Sequence, residues 1–223
     1  MAPLLIVGAG GFARETAQAV HAVNDVSPTW ELLGFLDDDP RRHGTVVDGV
    51  PVLGGSGEAL ERDDARIVVC TGNSRDYASR ARIVARLGLP PERYATLVHP
   101  GASVSRSCAI GPGSVVLAQV VLTASVTVGA HVSVMPHVTL THDDVVGDYA
   151  TLAAGARLAG GVHVGRGAYV GSGALVRETL TIGSYALVGM GSVVLQDIPA
   201  HEIWAGVPAR FIRASTVDDG ALT

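Results

Sequence analysis

Aromatic side chains make up only 4% of this 223-residue chain, and charged ones only 17%. So few rings argue against a core built on large aromatic packing and favour thin, regularly stacked strands. Cysteine is scarcer still. Cys70 and Cys108 have no metal-type spacing and form no disulfide framework, so two ordinary thiols in a reducing, cytoplasmic setting are expected. The net charge of -5 argues against a general affinity for nucleic acid or anionic membranes, while leaving room for one nucleotide-sized ligand. The opening MAPLLIVGAG has no basic n-region and runs directly into a glycine turn, which predicts a strand and not a signal peptide. Val115 to Met135 is apolar enough to resemble a membrane span, but its regular Gly, Ser and Thr break it into short β-branched pieces.

What the chain has is 48% hydrophobic residues and 28 glycines, enough to bury a sizeable core. It also has a period. From Val98, every sixth residue up to Val194 is aliphatic, through Val104, Ile110, Val116, Leu122 and onward without a miss or an insertion. Glycine often follows that position (Gly111, Gly129, Gly147, Gly165, Gly171, Gly183, Gly189), and a small or β-branched residue stands four after it (Ser114, Val120, Val126, Val132, Ala150, Ala156). Neither the helical period nor the strand period explains a step of six. A solenoid with three short strands per turn does, with aliphatics stacked inside and glycine giving freedom at the corners. Residues three units apart then lie one strand spacing apart, about 4.8 Å. The pattern resembles the left-handed parallel β-helix of the hexapeptide-repeat acyltransferases. That resemblance implies a homotrimer with acetyl-CoA in the groove between subunits. The segment Ile198 to Arg213, with Gly206-Val207-Pro208-Ala209-Arg210 at its centre, resembles the superfamily's closing segment.

Residues before about 94 read differently. Leu4–Val7, Leu32–Leu36 and Ile67–Cys70 are apolar enough for strands, with helices expected at about 12–23 and 74–87. Alternation of this kind predicts a small Rossmann-like parallel sheet. The turn Gly8-Ala9-Gly10-Gly11 would bring phosphate to a helix N-terminus, and Asp37-Asp38-Asp39 ends the second strand where a ribose or base could be met. Ala13 stands in place of the last glycine of a dinucleotide fingerprint. With no hydride-acceptor domain evident, a nicotinamide enzyme is not the preferred reading. The organisation expected is a Rossmann-like ligand-binding domain over 1–94, a β-helix over 95–213 and a flexible tail over 214–223.

Within the repeat, Thr141-His142-Asp143-Asp144 breaks the run of small and apolar residues. Transfer of an acyl group from a thioester needs a base to take the attacking group's proton, and neutral histidine suits that near pH 7. A neighbouring carboxylate would fix its tautomer, which Asp143 can do only from a corner, since adjacent strand residues face opposite ways. Three units on from His142 is Gly160, whose N–H could face a thioester oxygen. Asp144 falls on the small inward position.

Over residues 4 to 213 the chain resembles the bacterial nucleotide-sugar N-acetyltransferases, grouped with sialic-acid O-acetyltransferases. The resemblance implies His142 as base and Asp143 as its orienting carboxylate. It implies Gly10, Gly11, Phe12, Asp37, Asp38 and Gly72 as substrate contacts, and Thr151, Ser172, Gly189 and Met190 as contacts to acetyl-CoA beside Gly160. Phe12 and Thr151 stand where the family carries histidine. The activity implied is acetyl transfer to the amine of a nucleotide-linked 4-amino-4,6-dideoxy sugar in glycan biosynthesis, without a metal. Transfer to a sugar hydroxyl is the near alternative. A zinc hydratase is suggested by the spacing of His137 and His142, and a non-catalytic scaffold is a further alternative.

Overall fold

The computed structural model describes residues 1–217. Its N-terminal part is a five-stranded sheet in the order β3-β4-β2-β1-β5, with β1 at Ala2–Val7, β2 at Trp30–Leu36, β3 at Val46–Val47, β4 at Val50–Gly54 and β5 at Arg66–Val69. All neighbours run parallel except β3 and β4. Helix α1 (Gly11–Val26) packs Ala13, Ala17 and Val20 into a core shared with Leu4, Ile6 and Phe35.

Two corrections to the sequence reading arise here. The hairpin of β3 and β4 was not foreseen, although Asp48-Gly49 between valine-rich flanks carries the signal: both residues have positive φ (49° and 82°), as a tight two-residue hairpin turn requires. Helix α2 spans Ser79–Leu87 instead of starting near 74. The reason lies in Asn73, whose side-chain oxygen accepts from Arg75 N–H at 2.8 Å and Asp76 N–H at 3.2 Å. That local turn competes with the first helical turn.

From Leu97 the chain winds into a three-sided, left-handed β-helix. The first face stacks Leu97–Val98, Val115–Val116, Ser133–Val134, Thr151–Leu152, Tyr169–Val170 and Leu187–Val188 in register. The second face stacks two-residue strands from Ser103–Val104 to Val193–Val194, and the third from Ala109–Ile110 to Thr181–Ile182. The six-step aliphatics point inward and are sealed from solvent, as at Val134, Leu140, Leu152, Val170 and Val188. Stacking like side chains one coil apart buries apolar area continuously along the axis.

The repeat glycines serve a purpose other than the corner freedom expected of them. At Gly147 a Cβ would come within 2.7 Å of the Arg166 backbone nitrogen, so the absent side chain permits close approach of the next coil. The left-handed corner conformation falls two residues later, on Gly113, Gly155 or Gly161, or on His137, Asp143 and Tyr149.

The strands Glu202–Gly206 and Ala209–Ala214 close the first face as an antiparallel pair. The segment from 214, expected to be a flexible tail, is held in place as far as 217. Ser215 N–H donates to His201 C=O at 2.7 Å, and Val217 packs beside Tyr77 and Tyr185. Residues 218–223 of the expected tail lie outside the described residues. The two parts share one core, in which Ala95, Leu97, Val115 and Leu117 pack with the α1 side chains.

Candidate active site

The expected site residues form three groups. The first is at the corner between the second and third faces. Asp143 adopts φ 64° there, because the chain must turn from Leu140 to Val145. The left-handed turn swings its carboxylate beside its neighbour's ring, so that His142 Nδ1 and Asp143 Oδ2 are 2.9 Å apart. Asp143 thereby holds a proton on Nδ1 and leaves the Nε2 lone pair free. Gly160 lies one coil on, and any Cβ there would overlap His142 Cε1 and Nε2. Gly161 N–H donates to His142 C=O at 2.9 Å, so the ring rests on a bare stretch of backbone.

Asp144 is unlike its neighbour. It is wholly buried and accepts from Thr141 N–H and Val162 N–H, both at 2.8 Å. Burial pushes its carboxyl up to about 6, against the opposing pull of those two N–H groups and of His142 and His163. It ties two coils together and faces away from any open site.

The second group lies on the first face, under the N-terminal part. A cavity of about 170 Å³ is lined by Phe12, Gly72 and Arg80 from above and by Ser133, Met135, Thr151, Ala153, Ala154, Tyr169 and Ser172 from the β-helix. Through Tyr169 and Ser172 it joins a second cavity of about 290 Å³, where Gly189 and Met190 meet Ser74, Leu187, Ile203 and Arg213. Thr151, Ser172, Gly189 and Met190 thus follow one groove, with Phe12 and Gly72 at its head. Arg80, Ser133, Met135 and Tyr169 were missed by sequence reasoning. An arginine on a helix reads as a solvated face, and the others match their repeat positions.

The third group is at the sheet's carboxyl edge. Asp37 accepts from Ala9 N–H at 2.9 Å and Asp39 N–H at 3.0 Å, bracing the glycine turn. Asp38 accepts from Ser56 N–H at 2.8 Å and pairs with Arg86. Both border a cavity of about 140 Å³ beside Gly8 and Thr71. Gly10 caps α1 without a side-chain bond, and Gly11 starts a first turn free of acidic residues. Backbone N–H groups and the helix dipole are therefore available to an anion at that end.

His142, Asp143 and Gly160 occupy a different corner of the prism from the groove. His137 lies at the corner between the first and second faces, where Ala154, Ser172 and Met190 of the groove also sit. Among the described residues no group of three or more His, Cys, Asp or Glu could hold a metal ion, and no helix is long and apolar enough to cross a membrane.

A small parallel α/β sheet feeding a left-handed β-helix, with a histidine-carboxylate pair at one corner and a groove beneath the sheet, defines the hexapeptide-repeat acyltransferase architecture. Residues 3–87 match the model of the PglD N-terminal domain. The acetyltransferase domain of PglB from Neisseria gonorrhoeae is 32% identical, with a TM-score of 0.82 over 95% of this chain and 100% of that one. A mutant of perosamine N-acetyltransferase from Caulobacter crescentus, in complex with CoA and GDP-perosamine, is 30% identical, with a TM-score of 0.84 over 96% of this chain and 98% of that one. UDP-N-acetylbacillosamine N-acetyltransferase of Bacillus subtilis is 34% identical over 123 residues, which span 53% of this chain and 52% of that protein's length. The chain belongs to the hexapeptide-repeat sugar N-acetyltransferases.

Proposed function

We propose that the protein is an acetyl-CoA-dependent N-acetyltransferase acting on the amine of a nucleotide-linked 4-amino-4,6-dideoxy sugar. The observation that carries this reading is His142, with Nδ1 held by Asp143 and Nε2 over the bare backbone of Gly160. The relatives' own ligands support it: the Neisseria domain was solved with acetyl coenzyme A and the Caulobacter enzyme with CoA and GDP-perosamine. In the proposed reaction the sugar nitrogen attacks the thioester carbonyl carbon, the C–N bond forms, and the π electron pair moves onto oxygen. Collapse re-forms C=O and breaks C–S. Nε2 of His142 takes a proton from the nitrogen and returns it to the departing thiolate, while the Gly160 N–H faces the acyl oxygen.

Gly10, Gly11, Phe12, Asp37, Asp38 and Gly72 hold the nucleotide sugar, and Thr151, Ser172, Gly189 and Met190 line the acetyl-CoA groove. Because the His142 corner and the groove lie on different sides of one prism, the site is completed by a second copy, in a homotrimer. The product serves glycan assembly in the cytoplasm.

Thiol release from acetyl-CoA, measured across nucleotide-linked amino and hydroxy sugars, tests the assignment. Turnover with an amino sugar is expected, and His142→Ala should lower kcat by about 100- to 10,000-fold. Near-normal turnover in that variant would overturn the role of His142. Turnover only with hydroxy sugars would convert the assignment to O-acetylation.

A further inference from the structure

Arg80 is the bulkiest of the fully buried side chains, only 1% exposed. Charge of that kind is costly to bury unless paired or fully hydrogen-bonded, yet no carboxylate pairs with it among the described residues. Its partners are neutral. Nε donates to His131 C=O at 2.7 Å, Nη1 to Thr71 C=O at 2.8 Å, and Nη2 to Tyr149 C=O at 2.9 Å, Ala150 C=O at 3.1 Å and Thr151 Oγ1 at 2.9 Å. Burial lowers the guanidinium to about 10, which leaves it charged at neutral pH. An uncompensated positive charge therefore stands in the wall of the 170 Å³ cavity.

Two hydroxyls share that wall. Thr151 Oγ1 is occupied as an acceptor by Arg80, so its own proton must be donated elsewhere. Ser133 pairs with Thr151 one coil away, is 2% exposed, and its Oγ has no hydrogen-bond partner among the described residues. An unsatisfied buried hydroxyl is a cost that a ligand can relieve. Around these groups the lining is apolar, with Phe12, Met135, Ala153 and Ala154, so an oxyanion formed here would meet directed donors in a low-dielectric site.

We propose that Thr151 and Ser133 donate to the acyl oxygen of the bound thioester, and that Arg80 is a positioning residue that aims the Thr151 hydroxyl at it. The inference rests on the acyl-transfer reading above. It assigns to the groove-bearing copy a second set of donors for the oxygen that gains the carbonyl electron pair, in addition to the Gly160 N–H of the copy that supplies His142. Charge on that oxygen is transient and returns to the C=O bond as C–S breaks, so the donors exchange no proton.

The test is calorimetric binding of CoA, S-acetonyl-CoA and S-carboxymethyl-CoA to the full chain, since the carboxylate mimics the charged oxygen and the ketone does not. The carboxylate should bind about tenfold tighter than the ketone. Thr151→Val should abolish this preference and Thr151→Ser should retain it, each read as the ratio of the two affinities within one protein. Arg80→Lys keeps the charge and loses the planar fork. It should reduce the preference in the native background and change nothing further alongside Thr151→Val. Equal effects in both backgrounds would overturn the positioning role. CoA binding without any carboxylate preference would overturn the anion site and leave the acyltransferase reading intact, whereas failure to bind CoA at all would overturn both. Should Arg80→Lys fail to fold, the Val and Ser variants at 151 still decide the matter.

Discussion

At position 160 a single added carbon would occupy the space of the His142 ring. Gly160→Ala is therefore expected to tilt or expel the imidazole while the coil around it persists, lowering kcat by about tenfold or more through loss of the base's aim. Steady-state kinetics beside an unchanged circular dichroism spectrum checks this, and full activity would remove Gly160 from the site. The stacking of 160 on 142 was legible because register in a solenoid is arithmetic: what lies three units on lies directly below. Arg80 was not legible. Nothing in Ser79-Arg80-Ala81-Arg82 distinguishes the buried arginine from Arg82, which is half-buried and pairs with Asp76. The difference is made by the carbonyls of His131, Tyr149 and Ala150, far away in the chain.

Each coil of the β-helix has an inward position reserved for a small side chain, and the polar residues placed there become cross-coil ties. Ser114 Oγ accepts from Val132 N–H at 2.9 Å, and Asp144 does the same for Val162 at 2.8 Å. The Asp144 carboxyl has its pKa raised to about 6 from an ordinary 3.8. The native state therefore holds this proton more tightly than the unfolded chain does. Its contribution to stability is full below the lower value and is lost as pH rises through the higher one. Melting temperature should fall between about pH 4 and pH 6 relative to Asp144→Asn, which cannot titrate. Parallel pH profiles for the two proteins would show that Asp144 does not titrate in that window. The hairpin at 46–54 teaches a related lesson. Its Asp-Gly turn was a readable local signal, whereas the delayed start of α2 depended on one side chain, Asn73, outcompeting the helix.

Within one chain the corner that bears His142 and the groove beneath the sheet lie at different corners of the prism. Co-expression of His142→Ala with a groove-filling Ala154→Trp variant tests whether different copies supply them. Mixed assemblies should recover a measurable part of the activity that each variant lacks alone, because some sites then join an intact histidine to an intact groove. Complete absence of recovery, with mixed assemblies present, would place both halves of the site in one chain.

Much of this protein is determined by its sequence alone. The unbroken step of six, the glycines beside it, the alternating strands and helices before it and the break at His142 specify a small α/β sheet, a β-helix and a corner histidine. These are properties of short stretches repeated along the chain, so each unit carries its own evidence. The groove, the uncompensated charge of Arg80 and the free hydroxyl of Ser133 exist only because α1 and α2 settle on the first face of the coil. Their partners lie about 50 to 70 residues away, as with Arg80 and Thr151, and no local pattern encodes a cavity whose walls come from both halves of the chain.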